Sequence, residues 1–84
     1  MLDLKTRFGK AAVDVLQIIQ KPDDDTILML YSLYKQGIAG DVYGKPDLTD
    51  LKARAKDDAW TKLKGIPPQK AMEEYIMLVE KLQG

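Results

Sequence analysis

The stretch DDDTILMLYSLYKQGIAGD, residues 23–41, decides the fold of this 84-residue chain. Its apolar positions are Ile27, Leu28, Leu30, Tyr31, Leu33, Tyr34 and Ile38. They recur at helical spacings but cover more than one stripe, so we expect at least two sides of this helix to be covered by other parts of the chain. Pro22 disfavours helical geometry in the residue before it, and Asp23 offers an N-cap. The helix is therefore predicted to start close to Asp23.

Helices are also predicted on both sides of this stretch. Apolar residues from Leu4 to Ile19 recur every three, four or seven positions, which is the pattern of an amphipathic helix. Thr49 or Asp50 can cap a third helix that begins at Leu51. In this third helix the apolar residues repeat every four positions, at Leu51, Ala55, Ala59 and Leu63.

Glycine and proline residues predict where the third helix ends and where a fourth begins. Gly65 fits the C′ position of helix three, and Pro67 and Pro68 suit the entry to helix four. Glycine, proline and aspartate fill the segment between residues 37 and 51, which is predicted to be a long ordered loop. The sequence thus predicts an all-α fold, a four-helix bundle in one domain over residues 1–84, with a long loop between helices two and three.

Composition excludes several classes of function. Thirteen basic and thirteen acidic residues cancel, so net charge gives no reason to expect nucleic acid as a partner. The chain has no histidine and no cysteine, and therefore lacks the commonest general base, the commonest metal ligand and any thiolate nucleophile. It has no apolar run of the roughly 20 residues that a membrane span needs. We expect a cytoplasmic, non-enzymatic protein with no stable membrane insertion, no metal and no cofactor.

Known short motifs do not supply a site either. The segment GDVYGKP lacks two residues of a phosphate-binding P-loop, because Ala39 stands where glycine is required and Pro46 where a hydroxyl residue is required. The acidic run from Asp23 to Asp25 lacks the alternating ligands, central glycine and closing glutamate of a calcium loop. These residues are interpreted as caps and turns.

Two groups of residues are candidates for a binding site. Tyr31, Tyr34 and Lys35 lie three and four positions apart, so their side chains share one helical face and can touch one ligand. Without other evidence, the two tyrosines could equally be core residues whose hydroxyls reach the surface, with Lys35 beside them in solvent. Lys52 and Lys56 share a face of helix three and repel each other, which an anion would relieve. The simpler interpretation of these lysines is a solvated helix surface, just as Tyr75 first reads as a core residue.

Several motifs occur together in order along the chain. They are Y-S-x-Y-K-Q at residues 31–36, Gly40-Asp41, Asp58-Ala59-Trp60 and Leu63-Lys64-Gly65. In this combination the chain resembles the acyl-CoA-binding protein family over almost its whole length. The resemblance implies a bundle in which helices one, two and four are antiparallel neighbours and helix three crosses at the side. It also implies a bowl between helices two and three that binds a medium- to long-chain fatty acyl-CoA without changing it, in a monomeric carrier.

The resemblance also implies roles for individual residues. Tyr31, Lys35 and Lys56 would hold the ribose 3′-phosphate, Tyr34 would stack near adenine, Tyr75 would complete the head-group site, and Lys52 would add a contact at the rim. Ala12, Ile27 and Leu28 match positions that contact the acyl chain.

Two positions depart from the family pattern. Asp57 stands where tryptophan is common beside the helix-three lysine, and Leu16 stands where a lysine often contacts the ligand. Two other functions stay open from the sequence. One is a helical protein-interaction module that uses the apolar face of helix two as a groove. The other is a small enzyme acting on acyl-CoA, such as a thioesterase.

Overall fold

The computed structural model describes residues 3–18, 21–41 and 50–84. The helices are α1 (Leu4–Asp14), α2 (Asp24–Ala39), α3 (Leu51–Thr61) and α4 (Pro68–Gln83), and a short 3₁₀ turn (Val15–Gln17) follows α1. Within these three segments there is no strand, so the predicted all-α, four-helix fold is confirmed. None of these helices is both long enough and apolar enough to cross a membrane.

Aspartate side chains fix the start of three helices. The Asp3 carboxylate accepts a hydrogen bond from the Thr6 amide at 2.7 Å, and Asp23 accepts one from Thr26 at 2.7 Å. Hydrogen bonding from the side chains of these two threonines, and secondarily from their amides, lowers the pKa of both carboxyl groups. Asp50 accepts from the amides two and three residues further on, so Asp50 rather than residue 49 caps α3. The predicted start of α2 at Asp23 is likewise confirmed, because the caps are local interactions that the sequence encodes directly.

The helices pack around α2 and α4. Helix α4 contacts both α1 and α2, whereas α3 contacts α2. The apolar core is formed by α1, α2 and α4, through Phe8, Ala11, Leu30, Leu33, Ala71, Tyr75, Ile76 and Val79. Helix α3 contributes no fully buried residue and forms an outer wall on α2. Two sides of α2 are therefore covered, as its wide apolar surface predicts.

The end of the first helix differs from the prediction. The α-helix stops at Asp14 instead of continuing to Ile19, which lies outside the described residues. The Val15 amide is shared between the carbonyls of Ala11 and Val13, and the chain tightens into the 3₁₀ turn before Ile18 becomes extended. The sequence pattern predicted a longer helix because residues three positions apart in a 3₁₀ turn also share a face, so the apolar spacing resembles that of an α-helix.

The end of α3 also differs. The helix ends at Thr61, four residues before Gly65, and residues 62–65 form a turn. Gly65 does adopt the predicted positive φ, at +93°, but there its amide donates to the Asp41 carboxylate at 2.8 Å. At the other end of this helix Leu51 is 77% exposed, so the regular four-residue apolar repeat overstates how much of α3 faces the core.

Candidate functional site

Two lysines and two aromatic side chains meet where α2 faces α3. We call Tyr31, Lys35, Lys56 and Trp60 the lysine–aromatic cluster. Each helix supplies one aromatic residue and one lysine four positions apart, and each lysine reaches the aromatic ring of the other helix. The Lys56 ammonium lies 5.2 Å from the Tyr31 ring centre, and the Lys35 ammonium lies 5.8 Å from the Trp60 ring centre and 6.0 Å from that of Tyr31. The structure thus brings the predicted phosphate residues Tyr31, Lys35 and Lys56 together.

The cluster has an unbalanced positive charge. Within the described segments the single ion pair is Lys10 with Asp14, at 2.7 Å, so neither cluster lysine is paired with a carboxylate there. A cation over an aromatic face at an exposed site gains about 0.5–1 kcal/mol, whereas a hydrogen bond involving a charged group is worth about 1.5–3 kcal/mol. An anion that accepts hydrogen bonds from both ammonium groups would therefore interact with them more strongly than the rings do.

An apolar cavity of about 320 Å³ adjoins the cluster, and the Tyr31 ring belongs to both. We call it the tyrosine cavity; its lining comes from the end of α1, from α2 and from α4, through Ala12, Val15, Ile27, Leu30, Tyr31, Tyr34 and Tyr75. Its volume is at the lower end of the roughly 300–1,000 Å³ usual for ligand pockets, and it is shallow and open, so it can contact one side of part of a large ligand. Five of the nine predicted site residues thus line one cavity.

Aromatic packing fixes the wall of this cavity. The Phe8 ring stacks on Tyr34 with centroids 5.3 Å apart and meets Tyr75 edge-on at 5.1 Å. Tyr75 is 4% exposed, so it is the core residue that its spacing suggests and a cavity residue as well. Burial, and secondarily the neighbouring Tyr34, raise the pKa of Tyr75 above its ordinary value. The phenol therefore keeps its proton, and its hydroxyl donor, to a higher pH than an ordinary tyrosine does.

Two predicted residues lie apart from these surfaces. Leu28 lines a second groove, of about 380 Å³, together with side chains of α3, and does not share the cavity of Ile27. Adjacent residues on a helix point about 100° apart, which explains the separation. Lys52 is exposed on the first turn of α3, one turn before Lys56. The resemblance implied a bowl between helices two and three; the cluster and the second groove lie there, whereas the tyrosine cavity lies among α1, α2 and α4.

Sequence reasoning assigned no role to Gln36 and Trp60, which join the cluster to the rest of the fold. Gln36 is fully buried, and its side-chain oxygen accepts a hydrogen bond from the Trp60 indole at 3.0 Å. Its side-chain nitrogen donates to the Asp41 carboxylate at 2.9 Å and to the Ile66 carbonyl at 2.8 Å. The available signal was a glutamine near the end of an otherwise apolar helix, with the chain's single tryptophan downstream.

Comparisons with known proteins point to one protein family. The sequence model of one protein family, described as Acyl CoA binding protein, matches residues 5–79. The chain is 46% identical over 77 residues to an acyl-CoA-binding protein homolog of Drosophila melanogaster, covering 90% of each protein. It is 41% identical over 83 residues to an acyl-CoA-binding protein homolog of Manduca sexta, covering 96% of this chain and 92% of the relative. The crystal structure of Oryza sativa acyl-CoA-binding protein 2 superimposes with a TM-score of 0.89 at 34% identity, covering 95% of this chain and 90% of that one.

Proposed function

The chain belongs to the acyl-CoA-binding protein family, and on that premise we propose that it binds medium- to long-chain fatty acyl-CoA and releases it unchanged. One observation carries the proposal: two ammonium groups, neither paired with a carboxylate of the described segments, lie around the Tyr31 ring, and Tyr31 also lines an apolar cavity. Acyl-CoA combines a multiply charged phosphate end with an apolar tail. A site that joins these two kinds of surface suits both parts of one molecule.

The cluster is proposed to bind the ribose 3′-phosphate. Lys35 and Lys56 would supply two ammonium donors from different helices, and the Tyr31 hydroxyl would supply a third donor. Lys52, which is exposed one turn before Lys56, would add a further, solvent-exposed contact at the rim. Charge-assisted hydrogen bonds to a phosphate are short and strong, so this end of the ligand would set which molecules are admitted.

The tyrosine cavity is proposed to receive the parts of the ligand next to that phosphate. Adenine is attached to the ribose that carries the 3′-phosphate, so a phosphate in the cluster would bring the base against the Tyr34 side of the cavity. Stacking of a base on an aromatic ring is worth about 1–3 kcal/mol. The aliphatic wall, with Ala12 and Ile27, would contact the acyl chain, and Tyr75 would support the wall from α4.

The acyl chain is proposed to supply the larger share of the affinity. Each CH₂ group removed from water contributes about 0.8 kcal/mol, or roughly a fourfold change in dissociation constant. Affinity should therefore rise with chain length until further CH₂ groups extend beyond the apolar wall. Leu28 faces the second groove, so we do not assign it to the same part of the chain as Ile27. We propose a monomeric, intracellular carrier that shields the thioester and tail from water.

The two other functions are less well supported. Helices α3 and α4 already cover the sides of α2 that a partner-binding groove would need. A thioesterase would need an activated nucleophile, and the sequence contains neither histidine nor cysteine to provide one. Within the described segments no group of three acidic side chains is placed to hold a metal ion. We therefore propose binding without catalysis.

Titration calorimetry with palmitoyl-CoA, CoA and palmitate tests the proposal. We expect tight binding of palmitoyl-CoA and much weaker binding of both CoA and palmitate, because CoA lacks the acyl chain and palmitate lacks the phosphate that the cluster would bind. Equal, weak heats for the three compounds would contradict the proposed function. Recovery of the bound thioester intact after several hours is expected, and its hydrolysis at a rate proportional to protein concentration would instead indicate an enzyme.

A further inference from the structure

We infer that Trp60 is a positioning residue for Lys35, and that Gln36 holds the indole in the orientation this requires. The inference rests on the proposed function, since it concerns how the 3′-phosphate is recognised. In the ligand-free protein the Lys35 ammonium lies above the Trp60 ring, 5.8 Å from its centre. We infer that this contact holds the ammonium at the place where the phosphate would bind.

The position of the indole is fixed by hydrogen bonds on its nitrogen. Its N–H donates to the Gln36 side-chain oxygen and to the Gly40 carbonyl, each at 3.0 Å. The Gln36 amide can be oriented in one way only, because an indole is purely a donor while the Asp41 carboxylate is purely an acceptor. The carboxylate accepts from the Gln36 side-chain nitrogen at 2.9 Å. The amide oxygen must therefore face Trp60.

Gln36 is in turn held from the opposite side. Its nitrogen also donates to the carbonyl of Ile66, in the connection to α4, and the Asp41 carboxylate accepts a second hydrogen bond from the Gly65 amide. The side chain is fully buried, and no buried side-chain polar atom within the described segments lacks a partner. The indole thus rests on an anchored network that joins the end of α2 to the turn after α3.

The contacts with the aromatic rings reduce two unfavourable contributions to phosphate binding, the repulsion between the lysines and the ordering of their side chains. Two ammonium groups near one ring repel each other, and a free lysine side chain samples many rotamers. The electron-rich ring faces offset the repulsion and restrict the ammonium groups to the site before the ligand is present. Less side-chain ordering is then required at the moment of binding, which favours affinity through preorganisation.

The test compares palmitoyl-CoA with its 3′-dephospho analogue in the wild type, Trp60→Leu and Trp60→Phe. The readout is the ratio of the two dissociation constants, which measures recognition of the phosphate. We expect Trp60→Leu to reduce this ratio by about two- to fivefold, the equivalent of one exposed cation–π contact. Trp60→Phe keeps a ring but loses both hydrogen bonds of the indole N–H, so it should also reduce the ratio, to a smaller extent.

A matched control separates positioning from general loss of stability. Leu78 packs against the core from α4 and lines none of the surfaces described above, so Leu78→Ala should lower the melting temperature and leave the ratio unchanged. If Leu78→Ala lowers the ratio as much as Trp60→Leu, or if Trp60→Leu keeps the wild-type ratio, the inference is overturned. If Trp60→Leu fails to fold, the Trp60→Phe ratio decides: the wild-type value overturns the inference and a reduced value supports it.

Two measurements on the wild type complete the test. In the free protein the ring current of Trp60 should shift the Lys35 Hε resonances upfield, and ordinary shifts would overturn the inference without any ligand being added. Trp60 is the chain's single tryptophan, so its fluorescence reports on this site alone. Its emission should change more on binding palmitoyl-CoA than on binding the dephospho analogue. A wild type that binds neither ligand, yet shows the shifted resonances, would overturn the proposed function instead.

Discussion

The Lys56 ammonium lies 5.2 Å from the centre of the Tyr31 ring, although the two residues are on different helices and Lys56 itself is exposed. No carboxylate within the described segments pairs with this lysine. An exposed cation held over an aromatic face is available to a ligand anion, because its contact with the ring is weaker than a charge-assisted hydrogen bond. Lys56 is therefore expected to contact the ligand directly.

Lys56→Ala should weaken binding of palmitoyl-CoA by about tenfold, the equivalent of one charge-assisted hydrogen bond at a partly solvated site. Lys52→Ala is the matched control on the same helix, and it should weaken binding by less than about threefold, since a solvent-exposed contact at the rim is weak. Calorimetry at low and high salt measures both effects. Equal losses for the two variants would contradict the assignment of Lys56 as a direct contact.

Asp57→Asn should tighten palmitoyl-CoA binding by about two- to threefold at low salt, because it removes a negative charge next to Lys56. High salt should diminish the gain. Asp58→Asn removes the same charge from a position about 200° around the helix from Lys56, so it should change the affinity less. If both variants tighten binding equally, net charge rather than the position of Asp57 is responsible.

Ile27→Ala should weaken palmitoyl-CoA binding by about three- to tenfold, as expected for lost contact with a few CH₂ groups. Leu28→Ala makes a comparable truncation on the same turn of α2, but in the second groove, and should change the affinity by less than about twofold. The comparison uses binding constants measured well below the melting temperature of each variant. A larger loss from Leu28→Ala would place the acyl chain in the groove between α2 and α3.

Gly37→Ala should destabilise the fold. A Cβ atom there would lie 3.1 Å from Phe8 Cζ and 3.1 Å from Met72 Cγ, where α2 meets side chains of α1 and α4. Overpacking costs about 1–3 kcal/mol, which exceeds the roughly 1 kcal/mol that alanine gains over glycine inside a helix. Gly9→Ala meets no atom within 4 Å and should stabilise the protein by about 0.5–1 kcal/mol. Urea denaturation measures the free energy of unfolding of both variants. A stabilised Gly37→Ala variant would show that the Phe8 and Met72 side chains move to make room for the added methyl group.

Asp41→Asn should make the free energy of unfolding depend less steeply on pH in the acid range. The Gly65 amide and, secondarily, the Gln36 side chain donate to the Asp41 carboxylate and hold its pKa below the ordinary value of 3.8. Because the pKa is lower in the folded state, the stabilisation is complete above 3.8 and is lost as pH falls through the folded pKa. Asparagine keeps an acceptor oxygen for Gly65 but does not titrate.

Urea midpoints on either side of pH 3.8 measure this effect for the wild type and for Asp41→Asn. The variant should retain some sensitivity to acid, because the pKa values of the capping residues Asp3 and Asp23 are lowered as well. Identical acid profiles for the two proteins would mean that the hydrogen bonds to Asp41 contribute nothing to its titration.

Most of the fold could be predicted from the sequence because its signals are short-range. An aspartate that caps a helix bonds to an amide two or three residues away, as Asp23 and Asp50 do. The breadth of the apolar surface on α2 likewise predicted that two of its sides are covered. The errors came at helix ends, where a 3₁₀ turn after Asp14 and a turn before Gly65 preserve the apolar spacing after the α-helix has stopped.

The site was predictable in part. Tyr31 and Lys35 lie one helical turn apart, so the sequence placed them on one face, and the family resemblance supplied Lys56 from α3. It gave no role to Gln36 or Trp60, whose side chains meet across 24 positions of the chain. It also grouped Leu28 with Ile27, although the pitch of the helix separates them into two grooves.

The sequence by itself determined where the helices start, which residues can form the core and which residue types are available to bind an anion. Only the tertiary structure decided that Lys35 reaches Trp60, that Lys56 reaches Tyr31, and that the Tyr31 ring borders both the charged cluster and the apolar cavity. The physical reason is the range of the interactions. Caps and helical periodicity act within a few residues, whereas these contacts exist only after α3 has packed against α2.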